Sequence, residues 1–217
     1  MKENNIPFEQ KVKEGVELGK RLLLYSFELA KLISSEVSQD ENETTRRAII
    51  KGFLLSAAQL ADQIIKAVSQ RYLTLAIIGS RSLLEFNINA NYIFDNPKHK
   101  IDLKWIDRLC SDIFKRTNDI GILKSHLGEV SLRTRAKEIG RLDLYEINYA
   151  SLSDYSHLIM RGPLLYRKET AEKVSVATIS QALCNLTGVI DSVIVFKKLK
   201  WDKELLKSVE SFRDNYE

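Results

Sequence analysis

Three prolines, Pro7, Pro97 and Pro163, and nine glycines are all that interrupt a chain of 217 residues. Proline breaks a helix by removing an amide donor and clashing with the preceding turn, and glycine by its backbone freedom. A chain this poor in both predicts mostly helix. Between the prolines, apolar residues recur every three or four positions, as one helical face demands. Val12, Val16, Leu18, Leu22, Leu23, Phe27, Leu29, Ala30 and Ile33 carry the pattern over 8–37. Ile49, Phe53, Ala57, Leu60, Ile64 and Val68 repeat it over 45–69, and a third stretch over 71–94 stops at Asp95-Asn96-Pro97. Further helices are predicted over 101–118, over 129–139 with Gly140 as its C-terminal stop, over 143–160 with Asp143 as a cap, and over 170–199. The tail from Trp201 either continues the last helix or forms a short one. No alternation is long enough for a strand. The fold class is therefore all-α, an up-and-down helical bundle with long central helices and short connections.

The length suits a single helical domain over 1–217, with its core at 45–195 and the helix 8–37 and the tail 200–217 packed on it. Cys110 and Cys184 are too few for a disulfide scaffold, have no zinc-ligand spacing, and read as core residues. The polar start Met1-Lys2-Glu3-Asn4-Asn5 leads into no apolar run, so no signal peptide is expected. Tyr72–Phe94 is long enough to cross a bilayer and holds only two charges, Arg81 and Glu85. Those charges lie near its middle, where lipid disfavours them, and Asn87, Asn89 and Asn91 add polar groups. The expectation is a buried central helix in a soluble, cytoplasmic bundle with no membrane span. The net charge of +4 is uneven. Residues 98–141 hold eleven Lys/Arg against six Asp/Glu, whereas 142–160 hold three acidic residues and no Lys or Arg. The basic segment is either a surface that attracts RNA by counterion release or a solvated helix face.

Arg81 and Glu85 are one helical turn apart, so they share a face and can pair. Their apolar flanks predict that the pair is buried or half-buried. Either it fixes helix register or it works as part of a site. Tyr145, Tyr149, Ser153 and His157, followed by Arg161, form a polar stripe at four-residue spacing on the predicted 143–160 helix. His99 and His126 fall in turn and loop sequence, which leaves His157 as the histidine on a patterned helix. It is either a general acid or base near neutral pH or a hydrogen-bonded core residue. Antiparallel packing of the two helices would bring Arg81, Glu85, Ser153 and His157 to one interface. There His157 would transfer the proton, Glu85 would orient it or pair with Arg81, and Arg81 or Arg161 would stabilise an anionic phosphate. Metal-independent RNA cleavage needs such a set. No Gly-rich phosphate loop, GxSxG or HExxH is present, and Asp102, Asp107 and Asp112 lack the ExxH pairing of a di-iron bundle. No cofactor and no metal site are therefore expected.

The run Ala76-Ile77-Ile78-Gly79-Ser80-Arg81-Ser82-Leu83-Leu84-Glu85, with Asn91-Tyr92-Ile93 after it, resembles a group of bacterial all-helical proteins. That group has a central Leu-x-Arg-x-x-x-Glu helix and a later Tyr-x-x-x-Ser-x-x-x-His segment. Tyr149 to His157 is similar to the second motif, and the resemblance spans about 45–195. The group is distantly similar to the HEPN superfamily, which includes ribonuclease toxins, phage-defence and abortive-infection proteins. The nuclease branch places a His four to six residues after an Arg on one helix. Here the order is reversed, with Arg161 after His157. The resemblance implies the helical fold and points to Arg81, Glu85, Ser153 and His157.

Three functional readings stand on these residues. One is a HEPN-like toxin or defence protein acting on RNA. The second is a non-catalytic module that forms a homodimer or binds a partner protein, with Arg81/Glu85 and Ser153/His157 as structural pins. The third is a small-ligand bundle with the polar cluster lining a pocket.

Overall fold

The computed structural model describes residues 6–35, 41–94, 131–149 and 167–216, and among these there is no strand. Helix α1 spans Phe8–Ser35, α2 Glu41–Ser69 and α3 Leu73–Phe94. A short α4 follows at Leu132–Glu138. A helical turn at Leu142–Leu144 runs into a π-helical turn at Tyr145–Tyr149. Helix α5 spans Lys168–Lys197 and α6 Lys203–Tyr216. The all-α bundle with long central helices is what the chain forms. Helix α2 starts four residues before the expected position, at Glu41.

In α1 the buried positions Gly15, Leu18, Gly19, Leu22, Ser26, Leu29, Ala30 and Ile33 fall at the spacing of one face. That face packs on α2 and α5, while α2 and α5 each pack on α3. The core joins Leu22, Ile50, Leu54, Ile77, Leu83, Leu84, Ile179, Leu183 and Leu186, all fully buried. Each such side chain contributes about 1.5–3 kcal/mol by leaving water. Helix α5 is buried on most sides, and its inward hydroxyls are satisfied within the helix. Ser175 and Thr178 donate to carbonyls four residues back at 2.6 Å each, and Ser192 does so at 3.1 Å. The Ser80 hydroxyl in α3 is buried with no hydrogen-bond partner among the described residues.

Gly79 in α3 faces Ile64 in α2, as expected of a tight antiparallel hairpin. Helix α5 runs the other way from α2. Gly15 lies against Ile179 and Gly19 near Leu183, while on α3 Asn87 meets Gly188 and the Phe94 ring packs at a tilt on Phe196. Both registers ascend together, so α5 is parallel to α1 and α3. A Cβ at Gly15 would come within 2.5 Å of Ile179, so the small residue is what lets these helices approach.

The helix ends use local chemistry. Gly140 sits at φ +69° after α4, and the amides of Gly140 and Arg141 close back on Lys137 and Ala136 at 3.1 and 2.7 Å. This is a Schellman stop, and Gly140 fills the left-handed position at little cost. Arg71 and Lys198 take the same conformation at the ends of α2 and α5, at φ 65° and 54°. Ser131 caps α4 by accepting from the Thr134 amide at 3.1 Å. By length and composition, Arg47–Ser69 and Lys168–Lys197 are apolar enough to cross a membrane. Both line the interior of the bundle, as core helices do, and the stretch 72–94 singled out from sequence packs between them.

Candidate functional site

Arg81 and Glu85 leave α3 one turn apart, with Arg81 Nε 3.7 Å from Glu85 Oε1. Their side chains keep 31% and 42% of their surface exposed. The pair is thus partly exposed. Sixty-eight positions along the chain, the Tyr149 hydroxyl takes a hydrogen bond from Arg81 Nη2, and the guanidinium carbon lies 4.5 Å from the Tyr149 ring centre. Tyr145 stacks on Tyr149 with centres 4.8 Å apart and planes 18° from parallel. The first two members of the predicted polar stripe therefore do share a face. They do so in a π turn, not in the α-helix expected from Asp143 onward.

The π turn is held to α4 by Arg133, whose Nε and Nη2 both reach Glu146 Oε1, at 3.2 and 2.6 Å. Burial raises the Tyr145 hydroxyl pKa, and the Tyr149 hydroxyl beside it adds to the rise, while the Arg133 and Arg81 cations oppose it. Tyr145 therefore stays a neutral donor at physiological pH.

Ser153, His157 and Arg161 lie outside the described residues, as do Cys110 and most of the basic segment 98–141. The part of that segment that is described departs from a uniformly solvated basic face. Arg135 is only 6% exposed. It donates to Asn89 Oδ1 at 2.6 Å and lies over the Tyr92 ring at 6.0 Å. Burial lowers its pKa, and the nearby Tyr92 and Glu85 pull the other way. Glu85 thus stands in the field of two cations, Arg81 and Arg135. Burial raises the Tyr92 pKa, and the Glu138 carboxylate raises it further. Sequence patterning missed Arg135, because one more arginine in a basic run carries no sign of being withdrawn from solvent.

A second group of polar residues also went unassigned. Asn87 donates to Asn185 Oδ1 at 3.0 Å, and Asn91 donates to Asn87 Oδ1 at 2.7 Å. Gln181 donates to Asn148 Oδ1 at 3.1 Å. The alternation of Asn87, Asn89 and Asn91 in an apolar helix was the available signal: Asn87 and Asn91 face α5, and Asn89 faces α4. Cys184, read from sequence as core, is half-buried and lines the cleft beside these amides. Among the described residues no group of three His, Cys, Asp or Glu is placed to hold a metal ion.

Compared with known proteins, the chain matches no protein-family model, no curated protein and no solved structure. The geometry carries the functional argument by itself. It presents a half-exposed guanidinium, a carboxylate one turn away and two stacked tyrosines, at the point where the 145–149 turn meets α3.

Proposed function

We propose that this chain is a HEPN-like bacterial protein that acts on RNA as a cytoplasmic toxin or phage-defence component. In this reading His157 takes the proton of a ribose 2′-hydroxyl, and that oxygen attacks the adjacent phosphorus. The 5′-oxygen leaves with a proton, and a 2′,3′-cyclic phosphate remains. Arg81, with Arg161, neutralises the crowded phosphate, Glu85 holds Arg81 or the imidazole in place, and Ser153 hydrogen-bonds nearby.

The observation that carries the reading is the contact between Arg81 and Tyr149. It ties the Arg-x-x-x-Glu helix to the residue that opens the Tyr-x-x-x-Ser-x-x-x-His motif, and it leaves the guanidinium half-exposed. A purely structural pin would favour full burial with every polar atom paired, as Arg135 comes close to doing. Exposed basic residues of the 98–141 segment, such as Lys137 and Arg141, supply the sequence-independent attraction to phosphate.

Wild type, His157→Ala and Arg81→Ala are to be expressed, with growth and total-RNA integrity followed. Wild type is expected to slow growth and leave RNA ends with cyclic phosphate, and both variants to spare the RNA. Intact RNA with wild type, or equal cleavage by the variants, refutes the reading.

One observation favours the alternative, a non-catalytic dimerisation or partner-binding module. Tyr72, just before α3, and Leu75 and Ile78 on it follow one another at three-residue spacing, exposed by 59%, 63% and 45%. An apolar stripe of this kind marks protein contacts more often than catalysis. Sedimentation of wild type and Leu75→Glu tests it: a homodimer that becomes monomeric with RNA left intact supports this reading over the first.

A further inference from the structure

A cleft of about 760 Å³ lies between α3, the 139–148 segment, α5 and α6, apart from the Arg81 side chain. Five carboxamide groups line it: Asn87, Asn91, Asn148, Gln181 and Asn185. Amides in a protein interior are costly unless paired, and these pair with one another in an ordered way. Asn91 donates to Asn87, which donates to Asn185, and Gln181 donates to Asn148. Each amide carries two donor hydrogens and one acceptor oxygen. The relay uses the oxygens of Asn87, Asn185 and Asn148. It leaves Asn91 Oδ1 and Gln181 Oε1 as unused acceptors, and Asn185 Nδ2 and Asn148 Nδ2 as the donors with both hydrogens unused. Among the described residues no hydrogen bond engages these four atoms, and the residues that carry them all line the cleft.

The relay is also built to stay in place. Asn87 and Asn185 are 7% and 4% exposed. The Asn87 amide lies directly over Gly188, where any Cβ would collide with it. The charged rim balances. Arg141 and Arg213 stand with Asp191 and Glu210, and Asp191 is engaged by the Trp201 indole at 2.8 Å. A cleft of zero net charge gives no preference to a phosphate.

We infer that this cleft binds a neutral cyclic imide or lactam, of the kind carried by a uracil or hypoxanthine base or its nucleoside. The uracil edge runs acceptor, donor, acceptor. The two free amide donors meet its carbonyls, and a free amide oxygen accepts its ring N–H. The volume suits a ligand of nucleoside size. This site is independent of the ribonuclease reading, and neither falls with the other.

The test is calorimetric titration of the full chain with uridine, N3-methyluridine and uridine 5′-monophosphate. Uridine is expected to bind saturably. N3-methyluridine, which lacks the ring donor, is expected to bind at least ~10-fold more weakly, because the amide acceptor is then left unpaired. The monophosphate is expected to gain nothing over uridine. Asn185→Ala and Gln181→Leu are each expected to weaken uridine by at least ~10-fold. Gln181 is half-buried, so its variant keeps the fold if Asn185→Ala does not, and circular dichroism checks both. Absence of saturable uridine binding in the millimolar range, equal binding of the methylated nucleoside, or tighter binding of the monophosphate overturns the inference.

Discussion

Alanine at position 188 separates local from tertiary effects on stability. Gly188 lies inside α5, where helix propensity alone favours alanine over glycine by about 1 kcal/mol. The tertiary structure reverses the sign. A Cβ there meets all three terminal atoms of the Asn87 amide, so the amide has to move. Moving it breaks the bonds to Asn185 and from Asn91, worth about 0.5–1.5 kcal/mol each. Overpacking adds about 1–3 kcal/mol. Against the propensity gain, the net expectation is a loss of about 1–5 kcal/mol, centred on about 3 kcal/mol. Gly52 is the internal control. It lies in α2 with nothing within 4 Å of a built Cβ, so Gly52→Ala keeps the propensity gain of about 1 kcal/mol. Urea denaturation followed by far-ultraviolet circular dichroism reads both. With a slope of about 2 kcal/mol/M, Gly188→Ala lowers the midpoint by about 1.5 M and Gly52→Ala raises it by about 0.5 M. Gly188→Ala as stable as wild type, with an unchanged slope, would refute the amide packing described for α3 and α5.

Three other outcomes follow from the geometry. Ser80→Ala removes a buried hydroxyl that has no partner among the described residues and is expected to stabilise the chain by about 1 kcal/mol in the same assay; a loss of stability contradicts it. A double-mutant cycle of Arg81→Gln and Tyr149→Phe is expected to show a coupling of about 1 kcal/mol, and additive effects would mean that the 145–149 turn does not dock on α3 through this pair. Tyr25, Tyr92 and Tyr145 are each raised above 10.0 by burial, so above that pH the unfolded chain releases protons that the folded chain retains. The contribution of these tyrosines to stability is constant below pH 10.0 and falls as pH rises toward the folded values; a titration of tyrosinate absorbance in which all tyrosines of the folded chain ionise together near 10.0 speaks against it.

Helix placement was legible because its causes are local. The i, i+3, i+4 pattern of Leu18, Leu22, Leu29 and Ile33 encodes the face of α1 that the core buries, and Gly140 encodes the stop of α4. The Arg81 and Glu85 pairing was legible for the same reason, since four residues on a helix is a fixed distance. Tyr145 and Tyr149 were readable as sharing a face, but not as a π turn. Nothing in Leu144-Tyr145-Glu146-Ile147-Asn148-Tyr149 marks the wider turn, which accompanies the Arg133–Glu146 clamp and the contact with Arg81.

The amino-acid sequence by itself determined an all-α bundle, the approximate positions of its long helices and the helical faces that turn inward, because each depends on neighbours a few residues away. The tertiary structure decided which polar groups meet. It set α5 parallel to α1 and α3, brought Tyr149 to Arg81, withdrew Arg135 from water, and linked Asn91, Asn87 and Asn185 in one relay. An asparagine or arginine carries the same hydrogen-bonding groups wherever it lies. Its partner is chosen by the register and direction of helices distant in the chain, and those are settled by how the whole core packs.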